Sequence, residues 1–576
     1  MTKQLFIRTP HLIPAEYKRS NVNEKEKKKD SKNYLVQGSI LAAASIIAKL
    51  IGMIYRFPLT NILGNEGNSY YSTANEIYNI VLMISSFGLP LAVSKLVSER
   101  LHKGEYKNAH KVFLCAMRFA VISGGALALL TYIFAGIITK YFLSYELAVY
   151  GLRVLAPAIF IFAIVGTFRG YFQGYSNMVP TAVSQVIEQI VNAIVTVVCA
   201  GIMYNYGMSL AAKNGNDSLG PAWGAAGGTF GTVASITVAM LFMMFVYTMQ
   251  KPAIRRQMRH DHSGKNESSK IIYRSMMLTI VPIVLSTLIY NISNVADQGI
   301  FNKVLRSQGY TESQYGTIWG IYSGQFRVLM NVPLSLASCL APSVVPSLTA
   351  AMANHNKREA KQKIRTSIRF TMIITIPCAA GMAALAQPIL TMLYPNLENG
   401  RALAAGIMQA GALMIILYAL STLTTGILQG LGKLQTPLIN NSIALVLHFI
   451  LLYVLLTVFN LNIYAVVYAN IFFAFIVCIL NAVAISRFLG YRQEWYKTFL
   501  VPVIVSIIMG AAAYIIYSVF HMFAGNTIST MMGILAGICV YGIGMISFHG
   551  ITEAELVMFP KGHVLIRLLH KAGLLR

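Results

Sequence analysis

The sequence predicts an all-α integral membrane protein with about fourteen transmembrane helices. Of its 576 residues, 56% are hydrophobic and only 11% are charged, a composition too apolar for a soluble protein that must cover its core with polar side chains. A helix needs about twenty consecutive apolar residues to cross a bilayer, and the chain contains fourteen such segments. Their apolar runs are continuous and do not alternate every second residue, which excludes a membrane β-barrel.

The fourteen segments define the predicted organisation of the chain. They cover residues 35–58, 75–98, 111–138, 146–169, 180–205, 221–249, 276–300, 317–345, 367–388, 402–425, 437–459, 463–486, 498–520 and 526–549. We expect a disordered basic tail, an N-terminal lobe of six helices, a basic linker, a C-terminal lobe of six helices, two extra helices and a second tail. These parts are residues 1–34, 35–249, 250–275, 276–486, 498–549 and 550–576. The first tail lacks the apolar core and cleavage pattern of a signal peptide.

Lysine and arginine are distributed unevenly between the connections. If the N-terminus is cytoplasmic, 36 of the 46 cations lie on the cytoplasmic side, five on the outer side and five within helices. Cytoplasmic connections of membrane proteins are enriched in these residues, so we expect a multi-pass protein of the cell membrane with both termini in the cytoplasm. The net charge of +26 is then explained by contact with anionic lipids at the cytoplasmic face, and no nucleic-acid partner is expected.

A motif after the fourth predicted helix recurs after the tenth. "RGYFQGYSNMVPT" (169–181) and "TGILQGLGKLQTP" (425–437) share Gly, Gln and Gly at a constant spacing of 256 residues. Because the copies are six helices apart, both run through the membrane in the same direction, which predicts two parallel six-helix lobes with a substrate site between them. Pro90, Pro157 and Pro333 lie inside helices and are candidate hinges, although proline is also common in membrane helices without that role.

Five cations lie within the predicted helices: Lys49, Arg56, Arg118, Arg153 and Arg327. Each costs about 2.5 to 3.5 kcal/mol at a helix centre, so each should face a partner, a cavity or an interface. Lys49 is about fourteen residues, or roughly 21 Å, into its helix, too deep to reach the surface easily. Arg327 has polar neighbours, among them Gln325. The other three lie nearer to helix ends, where extension of the side chain to the interface is an alternative.

A stripe of small and polar residues follows the first helix. Ser45, Lys49, Gly52 and Arg56 recur at three- and four-residue spacing and therefore share one face, which should point to the interior. Two cations on one face repel each other unless an anion lies near them. We therefore predict a substrate-binding set for an anionic ligand: Lys49, Arg56, Arg327, Ser45, Gly52 and Gln325.

Acidic residues inside the membrane are fewer. Glu188 and Asp297, the latter with Asn294 one turn away, are either counter-ions of an arginine or a coupling site for sodium ion or a proton. The sequence shows no catalytic constellation, no metal-type spacing of its six cysteines and no ATP-binding loop. We therefore expect a protein that is not an enzyme and that has no metal or other cofactor.

These features resemble the MurJ-type lipid II flippases of the multidrug, oligosaccharidyl-lipid and polysaccharide (MOP) exporter superfamily, and its Gram-positive polysaccharide-export and sporulation branch. The resemblance rests on the helix count, "AKLIGMIYRFPLTNILG", "FRVLMNVPLSLASCLAPSVVPSL" and "LQGLGKLQTP". It implies alternating access of a cationic central cavity, at which Lys49 and Arg327 match family positions, and an apolar groove for the polyprenyl tail at the last two helices. Arg56 is one place out of the family register, and the eleventh helix has Asn440 and Asn441 but no acid.

The resemblance implies a flippase that carries lipid II, the peptidoglycan precursor, from the inner to the outer leaflet. It also implies contact with the cell-wall synthesis machinery, and a driving force from the membrane potential, sodium ions or protons. A flippase for another polyprenyl-diphosphate glycan, such as a teichoic or capsular unit, is the nearest alternative. A cation-coupled drug exporter should carry deep acids, not deep bases, and a membrane scaffold should tolerate alanine at Lys49 and Arg327.

Overall fold

A computed structural model describes residues 40–548 and Gly550, except 42, 262, 264–265, 339–347, 350, 353–355 and 434. The predicted tail 1–34, the tail from residue 551 and the end of the eighth predicted segment lie outside the described residues. Helices account for nearly all of the described chain. They are α1 (Ala43–Ile54), α2 (Arg56–Leu82), α3 (Leu89–His102), α4 (Tyr106–Ile137), α5 (Val149–Gly174), α6 (Val179–Asn214), α7 (Leu219–Arg259), α8 (Ser269–Ser307), α9 (Glu312–Gly320), α10 (Arg327–Ser338), α11 (Lys357–Ala384), α12 (Ala386–Leu393), α13 (Arg401–Ala410), α14 (Ala412–Gly430), α15 (Gln435–Thr457), α16 (Ile463–Leu489), α17 (Val501–His521) and α18 (Asn526–Ser547).

Each of the fourteen predicted segments overlaps a helix of the structure. Among the described residues, eleven helical spans are long and apolar enough to cross a membrane. The other three predicted segments also correspond to helices: the first to α1, the seventh to α8, and the eighth to α9 and α10. The second segment begins earlier than predicted, because α2 continues through Gly64, whose φ of 67° turns the chain, into the polar sequence 65–75. Asn65, Asn68 and Ser69 are buried there, so tertiary contacts stabilise a helix that hydropathy does not indicate.

The repeated motif forms two turns with the same backbone hydrogen bonds. After α5, the N–H groups of residues 175, 176 and 177 donate to the carbonyls of residues 171, 173 and 172. After α14, those of 431, 432 and 433 donate to 427, 429 and 428, which are the same positions 256 residues later. Ser176 and Gly432 both adopt positive φ. The two lobes therefore repeat in backbone geometry as well as in sequence.

Packing separates the helices into the two expected groups. In the N-terminal half, α6 packs along α7, and α5 packs on α4 and α7; in the C-terminal half, α16 packs on α14 and α15. The last pair, α17 and α18, pack on each other and on α11. Helix α8 contacts α3 at one end and α15 at the other, so it joins the two halves.

The connection before α8 is tied to the N-terminal half. Glu267 forms an ion pair with Arg100 at 2.5 Å, and Asp261 Oδ2 accepts a hydrogen bond from the backbone N–H of Lys107 at 2.7 Å. Burial of Asp261 raises its pKa, but hydrogen bonds from Ser263 and from the backbone of Lys107 outweigh this effect, so the net pKa lies below the ordinary value. Because a lowered pKa marks a carboxylate stabilised by folding, this attachment is present at neutral pH and is lost only as pH falls through that pKa.

Candidate functional site

The stripe on α1 faces α6 at Ser45 and Gly52. Ser45 Oγ donates to Gln185 Oε1 at 3.1 Å, and a Cβ on Gly52 would lie 3.2 Å from Gln189 Oε1. Lys49 lies between these two positions on the same face and is exposed. In the described part of the chain, Lys49 forms no ion pair. Its charge is therefore available to a ligand.

A polar cavity of about 330 Å³ begins at the end of this stripe. It is lined by Gly52, Tyr55, Arg56, Tyr71, Asn75, Tyr78, Asn79, Leu82, Phe162, Glu188, Gln189, Asn192, Thr232, Ser235 and Ile236. The guanidinium carbon of Arg56 lies 4.6 Å from the centroid of the Tyr71 ring, a cation–π contact. No carboxylate among the described residues is within ion-pair distance of Arg56, so its positive charge is not neutralised by the protein there.

Glu188 lines the cavity but is already paired. Its Oε2 accepts a hydrogen bond from Arg169 Nη2 at 2.7 Å, and Arg169 Nε also donates to Ser184 Oγ at 3.0 Å. Both charged side chains are largely buried. Glu188 is thus the counter-ion of Arg169, and the cavity keeps the net positive charge of Arg56.

Arg327 is held by an acid of the other lobe. Its Nη1 forms an ion pair with Glu76 Oε1, and its guanidinium lies 6.0 Å from the centroid of the Tyr322 ring. Arg56 and Arg327 are close enough to repel each other. The sequence alone does not indicate this pair, because it depends on how α2 and α10 pack.

Amide and hydroxyl groups join the lobes near the turn at Gly64, on the side predicted to be outer and called the outer side below. Gln325 Nε2 donates to Asn65 Oδ1 at 2.7 Å, and Asn65 Nδ2 donates to the Asn399 carbonyl at 3.0 Å. Asn61 Nδ2 donates to the Leu393 carbonyl at 2.9 Å. Gln325 is 1% exposed, so it belongs to this contact, which we call the outer contact, and not to the cavity wall.

Two glycines allow the close approach at the outer contact. A Cβ on Gly320 would overlap the carbonyl of Asn65, and one on Gly324 would overlap the side-chain amide of Asn68. Beside them, Ser72 Oγ donates to Ser323 Oγ at 2.9 Å. The structure is therefore closed on the outer side.

Asp297 lies apart from the cavity, in a buried polar cluster of the C-terminal lobe. It is 2% exposed, and its Oδ1 lies 2.6 Å from Nε2 of His448 on α15. Asn294 is half-buried one turn earlier on α8. Sequence reasoning missed His448, although an ionisable residue inside the apolar run "IALVLHFILLYVLL" is a signal of function in a membrane helix.

The candidate hinge prolines occupy different settings. Pro90 begins α3 just after a π-helical segment, Met83–Phe87, and Pro333 lies inside α10 after a second one, Ile321–Phe326. Such segments often mark functional positions in helices. Pro157 is exposed within the continuous helix α5. Their role as hinges stays a prediction.

Comparison with known proteins gives a consistent result. Residues 35–216 match a family model described as polysaccharide biosynthesis protein, and residues 282–454 match the MatE family model. The chain is 24% identical over 525 residues to the lipid II flippase MurJ of Bacillus subtilis (strain 168), covering 88% of this chain and 93% of that protein. It is 24% identical over 533 residues to stage V sporulation protein B of the same organism, covering 92% and 98%.

A solved structure agrees in architecture. The lipid II flippase MurJ in its inward closed conformation superposes with a TM-score of 0.63 at 16% identity, covering 88% of this chain and 98% of that one. At this identity the similarity shows the fold. Together with the two family models, which cover both lobes, and the helices described above, it confirms the resemblance noted from the sequence. The chain is a multi-pass membrane protein and belongs to the MOP exporter superfamily.

Proposed function

We propose that this protein is a flippase that carries the diphosphate headgroup of lipid II from the inner to the outer leaflet of the cell membrane. The observation that carries the proposal is the uncompensated guanidinium of Arg56 in a polar cavity, with the exposed Lys49 two turns away on the same face. Two fixed cations without protein counter-ions suit a ligand that brings its own negative charges.

The chemistry of the cavity fits such a headgroup. Tyr71 covers one face of the Arg56 guanidinium, which leaves the N–H groups at its edge to donate to phosphate oxygens. Asn75, Gln189 and Asn192 add amide groups that suit sugar hydroxyls and peptide bonds. An apolar groove of about 490 Å³ between α14, α15 and α16 is a further surface against which a polyprenyl chain can lie. The tail groove predicted at α17 and α18 stays a prediction.

The conformation fits loading from the cytoplasm. The outer contact closes one side of the molecule, whereas the exposed Lys49 precedes Arg56 by seven residues and so lies farther from that contact. With both termini in the cytoplasm, as the positive-inside rule predicts, a headgroup would meet Lys49 first and Arg56 second. An inside-negative potential favours outward movement of a negative headgroup by about 2.3 kcal/mol per charge per 100 mV, and we propose that it contributes to the drive.

Flipping of fluorescent lipid II in proteoliposomes tests the proposal. We expect Arg56→Ala and Lys49→Ala each to lower the flipping rate at least about tenfold, since each removes a charge-assisted contact worth about 1.4 kcal/mol or more. Arg153→Ala is the matched control, because Arg153 also lies inside the membrane over a tyrosine ring, that of Tyr132, but belongs to α5 and does not line the cavity. Wild-type rates in both cavity variants would overturn the assignment.

Further transport measurements distinguish between the possible classes of substrate. A polyprenyl diphosphate that carries another glycan should flip more slowly than lipid II; if it flips faster, the protein serves that other glycan. A lipophilic cation should not be exported, because Arg56 and Lys49 repel it. An imposed inside-negative potential should raise the rate of lipid II flipping, and an unchanged rate would remove the potential from the proposal.

A further inference from the structure

The buried cluster around Asp297 connects four helices of the C-terminal lobe. Asp297 Oδ1 lies 2.6 Å from His448 Nε2, and Asp297 Oδ2 accepts a hydrogen bond from Asn470 Nδ2 at 3.0 Å. Asn470 Oδ1 accepts a hydrogen bond from the Tyr418 hydroxyl at 2.7 Å. These residues belong to α8, α15, α16 and α14 respectively. His448 is 1% exposed and Asn470 is 4% exposed, so water does not reach the cluster in this conformation.

The partners of His448 determine its protonation. Its Nδ1 lies 2.9 Å from the backbone carbonyl of Ala469, which can only accept a hydrogen bond, so Nδ1 carries a hydrogen. A neutral ring would then place the lone pair of Nε2 against a lone pair of ionised Asp297 at 2.6 Å. A second hydrogen must therefore lie between the two atoms, either as His⁺ with Asp⁻ or as neutral His with a protonated Asp. The described geometry is that of a site loaded with one proton.

The same geometry argues against a sodium ion in this cluster. Both oxygens of Asp297 already have hydrogen-bond partners, and the carbonyl oxygen of Asn470 accepts a hydrogen bond from Tyr418. A hard cation needs several free oxygen ligands. Among the described residues, no group of three or more His, Cys, Asp or Glu side chains could hold a metal ion.

We propose that His448 and Asp297 form a binding site for one coupling proton, and that occupancy of this site favours closure of the outer contact. The proposal rests on the transport function proposed above and names its coupling ion. Loss of the proton leaves neutral His448 beside ionised Asp297, so the buried pair changes from net neutral to one negative charge. That charge is costly in the membrane interior and drives the two side chains apart.

A direct connection links the proton site to the lobe interface. Gln298, the residue after Asp297 on α8, donates from Nε2 to Thr73 Oγ1 of α2 at 2.5 Å. A shift of α8 when the pair separates would therefore pull on α2 beside the outer contact. Thr73 lies one residue from Ser72, which bonds Ser323 there.

The groups that face the pair belong to α8, α14 and α16. Helix α8 supplies Asp297 itself, and α14 supplies the Tyr418 hydroxyl. Helix α16 supplies Asn470, the Ala469 carbonyl and the ring of Phe473, and none of these three groups titrates. Tyr322, before α10, interacts electrostatically with Asp297. Arg327, near Tyr322, is neutralised by its ion pair with Glu76. The one acidic group in direct contact with His448, within the described residues, is thus Asp297.

The test is a distance measurement on the full chain in lipid nanodiscs at pH 5.5 to 8.5. Spin labels replace Asp217 and Asn396, which are exposed at the outer ends of the two lobes, in a variant whose native cysteines are substituted. We expect one short distance at low pH and a growing population of longer distances as pH rises. Replacing Na⁺ by choline should leave the distribution unchanged; a shift caused by Na⁺ alone would overturn the proposal.

Two variants remove the pH response by different routes. Asp297→Asn presents an amide to neutral His448 and mimics the loaded site, so the short distance should persist at every pH. His448→Gln replaces the ring by a donor that does not titrate, so the response should again be lost. His110→Gln, a partly buried histidine near Tyr171 on the cytoplasmic side, is the control and should keep the wild-type response. A wild-type response in either of the first two variants would refute the site.

A transport arm distinguishes failure of this inference from failure of the proposed function. With the potential clamped at zero, an acidic outer solution should raise lipid II flipping at least about threefold in the wild type but not in Asp297→Asn. If the wild type flips lipid II without any effect of pH on rate or distance, the function stands and the proton site fails. If the distance responds to pH and lipid II is never flipped, the proposed substrate fails and the proton site stands.

Discussion

At the scale of single residues, charge pairing separates the membrane cations into different classes. Arg169 and Arg327 are neutralised by Glu188 and Glu76, whereas Arg56 has a tyrosine ring in place of an acid. A paired arginine stabilises the fold, and a cation without a carboxylate partner is free for an anionic ligand. The distinction explains why burial of a cation does not by itself identify a substrate contact.

The pair between Arg327 and Glu76 allows a direct test of its structural role. Glu76→Gln leaves Arg327 largely buried without an acid, so we expect a loss of about 3 kcal/mol in the free energy of unfolding. Glu76→Gln combined with Arg327→Gln removes both charges and should recover most of that loss. Thermal unfolding of the purified variants in detergent measures the coupling.

An exposed pair provides the comparison. Glu99 and Lys103 form an ion pair at 2.7 Å at the end of α3, with both side chains about half exposed. Solvent screens such a pair, so Glu99→Gln should not change the melting temperature measurably. Equal melting temperatures for Glu76→Gln and the wild type would contradict a structural role of the Arg327 pair.

The sequence predicts the cations and the face that they share, but not their partners. Heptad spacing correctly places Ser45 and Gly52 on a face turned towards α6. Hydropathy and spacing within one helix carry no information about which residue of another helix lies opposite. The pairing of Asp297 with His448, 151 residues away, therefore appears only in the folded chain.

At the scale of helices, hydropathy predicts the buried spans well and their ends poorly. Hydropathy does not indicate the break at Gly64 or the polar stretch 65–75 of α2, because buried amides there form hydrogen bonds with the other lobe in place of water. It does not indicate the π-helical segments Met83–Phe87 and Ile321–Phe326 either. Helix ends and irregular turns depend on tertiary contacts that a sliding window does not contain.

Gly320→Ala tests the close approach of α9 to the turn of α2. The new Cβ would overlap a backbone carbonyl, that of Asn65, which cannot rotate away, so the lobes must separate at the outer contact. We expect the spin-label pair at Asp217 and Asn396 to show the longer distance even at low pH.

Gly136→Ala serves as the comparison for this substitution. No atom outside its own helix lies within 4 Å of the added Cβ, and alanine favours a helix over glycine by about 1 kcal/mol. The distances should therefore stay unchanged and the stability should rise slightly. A Gly320→Ala variant with wild-type distances and wild-type stability would show that the contact is less tight than described.

At the scale of the whole molecule, two repeated lobes meet on the outer side and are joined by α8. The matching turns after α5 and α14 support two parallel lobes, and the outer contact must break if a headgroup is to leave. If the protein works by alternating access, opening of this contact is a condition for transport.

Cysteine substitutions at Ser72 and Ser323 should hold the outer contact closed once they form a disulfide. Their hydroxyl oxygens are 2.9 Å apart and belong to different lobes, so sulfur atoms in their place would need to approach by only about 1 Å to reach the disulfide bond length of about 2 Å. Oxidation of the double variant should reduce lipid II flipping at least about tenfold, and a reductant should restore it. Each single cysteine variant should flip at its own rate with or without oxidant; undiminished flipping by the cross-linked protein would exclude alternating access through this contact.

If His448 and Asp297 couple transport to one proton, as proposed above, this stoichiometry also limits how unequally the protein can distribute its substrate between the two leaflets. If one proton enters for each headgroup that leaves, each unit of pH difference supplies about 1.4 kcal/mol, which sustains roughly a tenfold excess in the outer leaflet. A carrier with one such site stalls when product accumulates beyond that ratio and the contribution of the membrane voltage. Export would then be regulated by how fast the outer leaflet is cleared of the transported substrate.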